Sequence, residues 1–101
     1  SPHDHGLSWA LYFQVTGVTE MTTYERTVGL PGQPGAAELE KVGQADVIPG
    51  KAIFFGPLVI HSTQHSHPPA RWIRVTGTDL DFAERLRFSI ERKEAVIEKK
   101  I

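Results

Sequence analysis

Residues 3–5 read His-Asp-His, two imidazoles one residue apart in a chain with five histidines and no cysteine. Alternation is the strand period, so on extended backbone His3 and His5 point to one face and Asp4 to the other. Two imidazoles converging from one sheet edge make half a metal site; the same spacing also suits two exposed histidines near a chain end. A third histidine, His61, ends the run Phe54-Phe55-Gly56-Pro57-Leu58-Val59-Ile60, with His65 and His67 close behind. With no cysteine there is no thiolate ligand, no disulfide and no cysteine nucleophile.

The elements that must position these side chains read as short strands. Residues 8–16 end at Gly17, and residues 18–28 follow at once; both are rich in β-branched and aromatic residues and predict a hairpin. The glycine–proline stretch 29–35 predicts a loop, and residues 36–43 a short strand leading into a turn, with a single helical turn as the alternative. Two strands follow, broken by Pro49-Gly50 and Gly56-Pro57, then a turn at Pro68-Pro69 and an alternating strand over 70–77. In the tail Leu86, Phe88 and Ile90 alternate with Arg87, Ser89 and Glu91, which predicts a hairpin turning near Glu91 to Glu94, with a helix as the alternative. Its charged end, residues 91–100, predicts a solvated edge. Short strands at regular spacing imply a sandwich or barrel, jelly rolls and cupins among them.

The chain has 101 residues, which suits a single domain with a modest core. A net charge of −1 gives no electrostatic footprint for nucleic acid and no basic face for anionic lipid. No apolar run reaches bilayer-spanning length and nothing resembles a signal peptide, so the expectation is a cytoplasmic protein without nucleic-acid or membrane partners.

Together the two histidine stretches resemble the paired motifs of the cupin superfamily. The first family motif is His-x-His, a glutamate and a closing glycine; His3, His5 and Gly17 match, and Ala10 stands at the glutamate position. The second is a Pro-x-Gly-like turn, a histidine, and often an asparagine four residues later; Pro49-Gly50 and His61 match, with His65 at the asparagine position. The resemblance covers roughly residues 2 to 80. Within the superfamily these stretches look most like the cysteine dioxygenase group of thiol dioxygenases, which bind ferrous iron through three histidines and lack the glutamate. The resemblance implies an all-β cupin double-stranded β-helix (a jelly-roll barrel) with iron(II) on His3, His5 and His61. Zinc, nickel, manganese and copper are further candidates, because the ligand type alone does not choose the ion. It also implies strands ahead of Ser1, so residues 1–101 are expected to be one cupin domain of a longer chain, with an exposed edge or a strand borrowed from a second copy in a homodimer.

The chain departs from that family on a late strand. The thiol dioxygenases carry a Ser-x-His-x-Tyr relay there, whereas the inward positions here are Trp72, Arg74 and Thr76. The tyrosine–cysteine crosslink of some members is impossible without cysteine. Arg74 either clamps a substrate carboxylate through two parallel hydrogen bonds or reaches the barrel mouth to be solvated or paired with an acid such as Asp79. Tyr12, two residues beyond Ala10, looks into the same pocket as a hydrogen-bond donor or as packing. His65 is expected to hold His61 or a neighbouring strand, His67 to be exposed, and Trp9 and Trp72 to be core or pocket wall. The functional expectation is a mononuclear oxygenase using dioxygen on a small acid, thiols included. The alternatives are a metal- or ligand-binding cupin without turnover and a metal-dependent isomerase or lyase.

Overall fold

The structure is a computed structural model that describes residues 2–77 and 84–98, with residues 66–68 described by their backbone alone. Every regular element among them is a β-strand: β1 (Ala10–Val28), β2 (Gly35–Ala36), β3 (Glu38–Val47), β4 (Ala52–Phe55), β5 (Ile60–Thr76), β6 (Arg85–Ser89) and β7 (Glu94–Glu98). Among the described residues no helix is long and apolar enough to cross a membrane. Strand alternation is plain at the start of β1, where Ala10, Tyr12 and Gln14 are buried while Phe13 and Val15 face outward.

The hairpin predicted at Gly17 does not form. β1 runs through it for 19 residues and pairs with β5 from Ala10 opposite Thr76 to Tyr24 opposite Ile60. A straight strand of that length would span about 63 Å, yet the longest extent of the molecule is 36 Å. The strand pair must therefore bend, and it bends where its register breaks three times between Gln14 and Thr19. Gly17 lies inside this bulged stretch at φ +73°, a conformation that costs a residue without Cβ little. The Gln14 side-chain amide fixes the bend by donating to the carbonyls of Thr16 (2.9 Å) and Gly17 (3.3 Å).

The turn predicted at Pro68-Pro69 is absent for a related reason. Both prolines lie within β5, across from the bulged part of β1, where the interrupted ladder does not require the N–H that proline lacks. Thr16 Oγ1 instead donates to the Pro69 carbonyl at 3.2 Å.

β1 is the centre of the larger sheet, with β5 along one side and β4 then β3 along the other. A smaller sheet has the order β2-β7-β6. The tail hairpin forms as predicted, β6 and β7 joined by residues 90–93, but β7 lies between β2 and β6 and is not an edge. Residues 36–43 fall mainly in the long strand β3, which continues to Val47. Two apolar clusters result: Ala10, Tyr12, Met21, Val47 and Phe55 under the larger sheet, and Ala37, Ile60, Leu86, Phe88 and Ala95 between the sheets. Ahead of β1 a short segment, residues 2–4, joins the sheets. His3 bridges to His61 of β5 and to Arg87 of β6.

Candidate metal centre

The two nearby histidines reach the site by a route that differs from the predicted strand. Only His3 makes strand-like bridges; His5 precedes a turn at Gly6-Leu7, and β1 begins at Ala10. His3 N–H donates to the His61 carbonyl and His61 N–H to the His3 carbonyl, both at 2.9 Å. Residues that exchange both bonds are directly opposed and project their side chains to the same face. Asp4, buried, turns the other way: its Oδ1 accepts from Gly6 N–H at 2.9 Å and Leu86 N–H at 3.0 Å, pinning the histidine segment to β6. Gly6 has φ +60°, and a Cβ there would collide with the Glu84 carbonyl oxygen, so the turn that delivers His5 has no room for a side chain.

His3, His5 and His61 each offer one ring nitrogen, and these three atoms lie within 4.8 Å of one another. The ring centroids are 5.4 Å (His3–His5), 4.5 Å (His3–His61) and 4.9 Å (His5–His61) apart. His5 and His61 are buried and His3 is half-buried. Phe55 stacks on the His61 ring at 4.0 Å, and Tyr12 meets it edge-on at 5.7 Å. Neither ring nitrogen of His61 has a hydrogen-bond partner, and neither does His5 Nδ1. An unsatisfied buried polar atom costs roughly 1–3 kcal/mol, so three together require a compensating partner. A metal ion is one such partner, accepting the lone pair of one nitrogen on each ring.

The electrostatics favour the ligand form of these rings. Burial first, then the neighbouring His3, Arg74 and Arg85, lowers the His5 pKa to about 4. Burial, then His3 and His5, lowers that of His61 to about 3. Both are therefore neutral near pH 7, with a lone pair free of a proton, as metal coordination needs. The donor set fits a first-row divalent ion and does not distinguish iron from zinc, copper or nickel.

The other predicted site residues lie around this group. Tyr12 and Arg74 are directly opposed on β1 and β5. The Tyr12 hydroxyl is 3.2 Å from His5 Nε2 and is hydrogen-bonded to the Arg74 guanidinium. Burial raises the Tyr12 pKa, against the opposing pull of Arg74, so the phenol stays protonated. Arg74 is exposed at the rim, yet its charge is felt at His5; Asp79, its alternative partner, lies outside the described residues. Ala10 is buried in the core and offers no ligand at the glutamate position. His65 holds the neighbouring strand, its Nδ1 being 3.0 Å from Thr19 Oγ1, and Trp72 packs against both His65 and Tyr12. The His67 side chain lies outside the described part. Trp9 lies tilted against Phe54 and is partly exposed.

Sequence reasoning missed Asp4 as the anchor, Gly6 as the turn, Phe55 as the ring beneath His61, and Arg85 as a second cation near His5. The sequence signal for Asp4 was its place between two histidines; the rest depend on contacts across long separations. No protein-family model, no curated protein and no solved structure matches this chain.

Proposed function

We propose that the chain is a metal-binding β-protein of the cupin kind, in which His3, His5 and His61 hold one divalent ion, iron(II) foremost, and that it acts as a mononuclear oxygenase on a small acid. The observation that carries the metal is His61, fully buried with both ring nitrogens unpartnered beside two other imidazoles. When bound, a dication on three neutral ligands supplies undiminished positive charge that favours an anionic ligand such as a carboxylate or thiolate.

The chain's own residues would then orient the substrate. If His5 ligates through Nδ1, its Nε2–H donates to the Tyr12 oxygen, which also accepts from Arg74. Both lone pairs of that oxygen are then used and the phenolic proton is left to donate. Arg74 presents the planar donor fork that matches a carboxylate, and its position beside Tyr12 puts that fork at the rim of the histidine group. This selects small acids.

A second reading, a metal site without turnover, is favoured by the burial of His5 and His61. The cavity of about 710 Å³ beside Leu58 and Arg85 and that of about 470 Å³ beside Phe88 are lined by none of the three histidines. One experiment separates the readings. Protein purified without chelators should carry one metal per chain; His61→Ala should carry none and His65→Ala should keep it. Oxygen uptake with small thiols and 2-oxo acids then reports turnover. Equal metal in the His61→Ala and unaltered proteins refutes the site, and full metal without uptake leaves the binding reading.

A further inference from the structure

The outward face of β1, β4 and β5, opposite the one that carries Tyr12, is apolar and uncovered among the described residues. Register fixes its layout. Leu11 lies between Phe54 of β4 and Val75 of β5, and Phe13 lies between Ala52 and Ile73. The six form two adjoining rows across three strands, and the Trp9 ring extends the first row, lying tilted against Phe54 with ring centroids 5.8 Å apart. Phe54 is 59% exposed, Ile73 57%, Val75 47% and Phe13 42%. In a solvated antiparallel sheet the outward face is ordinarily polar, but here the outward rows are apolar while Tyr12, Gln14 and Arg74 lie on the opposite face.

We propose that this face is a self-association surface whose occupant is a second copy of the chain, packed sheet on sheet about a two-fold axis. Charge and area both point to that occupant. The two rows contain no ionisable side chain; Arg74, between Ile73 and Val75, belongs to the opposite face, and Arg71, one pleat beyond Ile73, is the nearest charge of β5 on the outward one. A partner chosen by charge would find nothing to read. An identical neutral patch meets no repulsion, and the chain's net charge of −1 adds little at long range. An isologous interface needs only that one patch fit itself.

The exposed parts of these side chains amount to on the order of 500 Å², at the upper end of the apolar patches found on monomers. With a polar rim this approaches the roughly 800 Å² per partner of an ordinary stable interface. The expected product is a reversible dimer with a dissociation constant in about the micromolar range.

Sedimentation velocity on the 101-residue chain, from about 1 to 500 μM, tests this. The unaltered chain should pass from monomer to dimer across that range. The double substitution Phe54→Lys, Ile73→Lys should remain monomeric, with the same circular dichroism and metal content. Mixing Phe54→Lys with Phe54→Glu should restore a mixed dimer, because the two-fold brings the same patch of each copy together. Should the double substitution fail to fold, Phe54→Ser must raise the dissociation constant at least tenfold. A chain that stays monomeric at the highest concentration, or a dimer indifferent to these substitutions, overturns the proposal.

Discussion

Replacing His61 with leucine should make the metal-free protein more stable while destroying its capacity for metal. In the neutral ring one nitrogen is a donor and the other an acceptor, and neither has a partner inside the protein. At about 1–2 kcal/mol for each unsatisfied group, the lower part of the usual range, the ring costs the apo fold roughly 2–4 kcal/mol. Leucine removes both polar atoms at similar volume. Against this stand the lost ring stacking on Phe55, about 0.5–1.5 kcal/mol, and an imperfect fit, typically under about 1.5 kcal/mol. The balance is a gain of about 1 kcal/mol, or roughly 4–8 °C in Tm for a domain near this size. Thermal and urea unfolding with EDTA present, then with added zinc or anaerobic iron(II), would measure it. The unaltered chain should unfold earlier than His61→Leu without metal and later with it. Apo His61→Leu less stable by more than about 1 kcal/mol, at an unchanged m-value, would refute the reasoning: the ring would then be a structural histidine.

The remaining predictions use the same geometry. In the metal-free protein the folded pKa values of His5 and His61, about 4 and about 3, lie below the ordinary 6.5, so the unfolded chain binds more protons at intermediate pH. Stability should fall as pH drops through about 6.5, by about 4 kcal/mol between pH 7 and pH 5 for the two groups together, and level off below the folded values; urea midpoints that do not move over that range contradict the burial of neutral imidazoles. Asp4→Ala strands two N–H groups, those of Gly6 and Leu86, and should cost roughly 2–4 kcal/mol and weaken metal binding although no ligand is removed, as read by unfolding and calorimetry. Arg74→Lys keeps the charge without the planar fork, so any turnover should show a raised KM for acids with unchanged metal content; an unchanged KM removes Arg74 from substrate recognition.

How much of this was legible in the sequence depends on the distance over which each feature is decided. The tail hairpin was legible because Leu86 and Phe88 alternate with polar residues, and that local pattern decides their face. The path of β1 was not. A glycine at positive φ serves a hairpin and a bulge equally well, and only pairing with β5, about fifty residues away in the chain, selects the bulge. Pro68-Pro69 misled for the same reason: proline stops a paired strand but is tolerated opposite a bulge that the local sequence does not reveal. The three histidines could be grouped through the resemblance to a pair of family motifs, yet the alternation argued for His3 and His5 was not the mechanism. A bridge at His3 and a turn at Gly6, held by Asp4, bring the rings together.

That mechanism ties the site to the fold more closely than ligands on a finished scaffold would be. The backbone of His3 bonds to His61 on one side, and Pro2 and Asp4 bond to Phe88 and Leu86 on the other, so residues 2–4 stitch the small sheet to the large one. The side chains of His3 and His61 meet over the same stitch. A metal bound there clamps a chain segment that otherwise rests on a few backbone bonds and the buried Asp4 carboxylate. Binding free energy at such a site acts as folding free energy, since the unfolded chain holds no preformed group of three. The orphaned nitrogens of His61 then have a physical rationale. They weaken the apo fold at the seam where the two sheets join, and an ion taking the lone pair of one of them would close that seam.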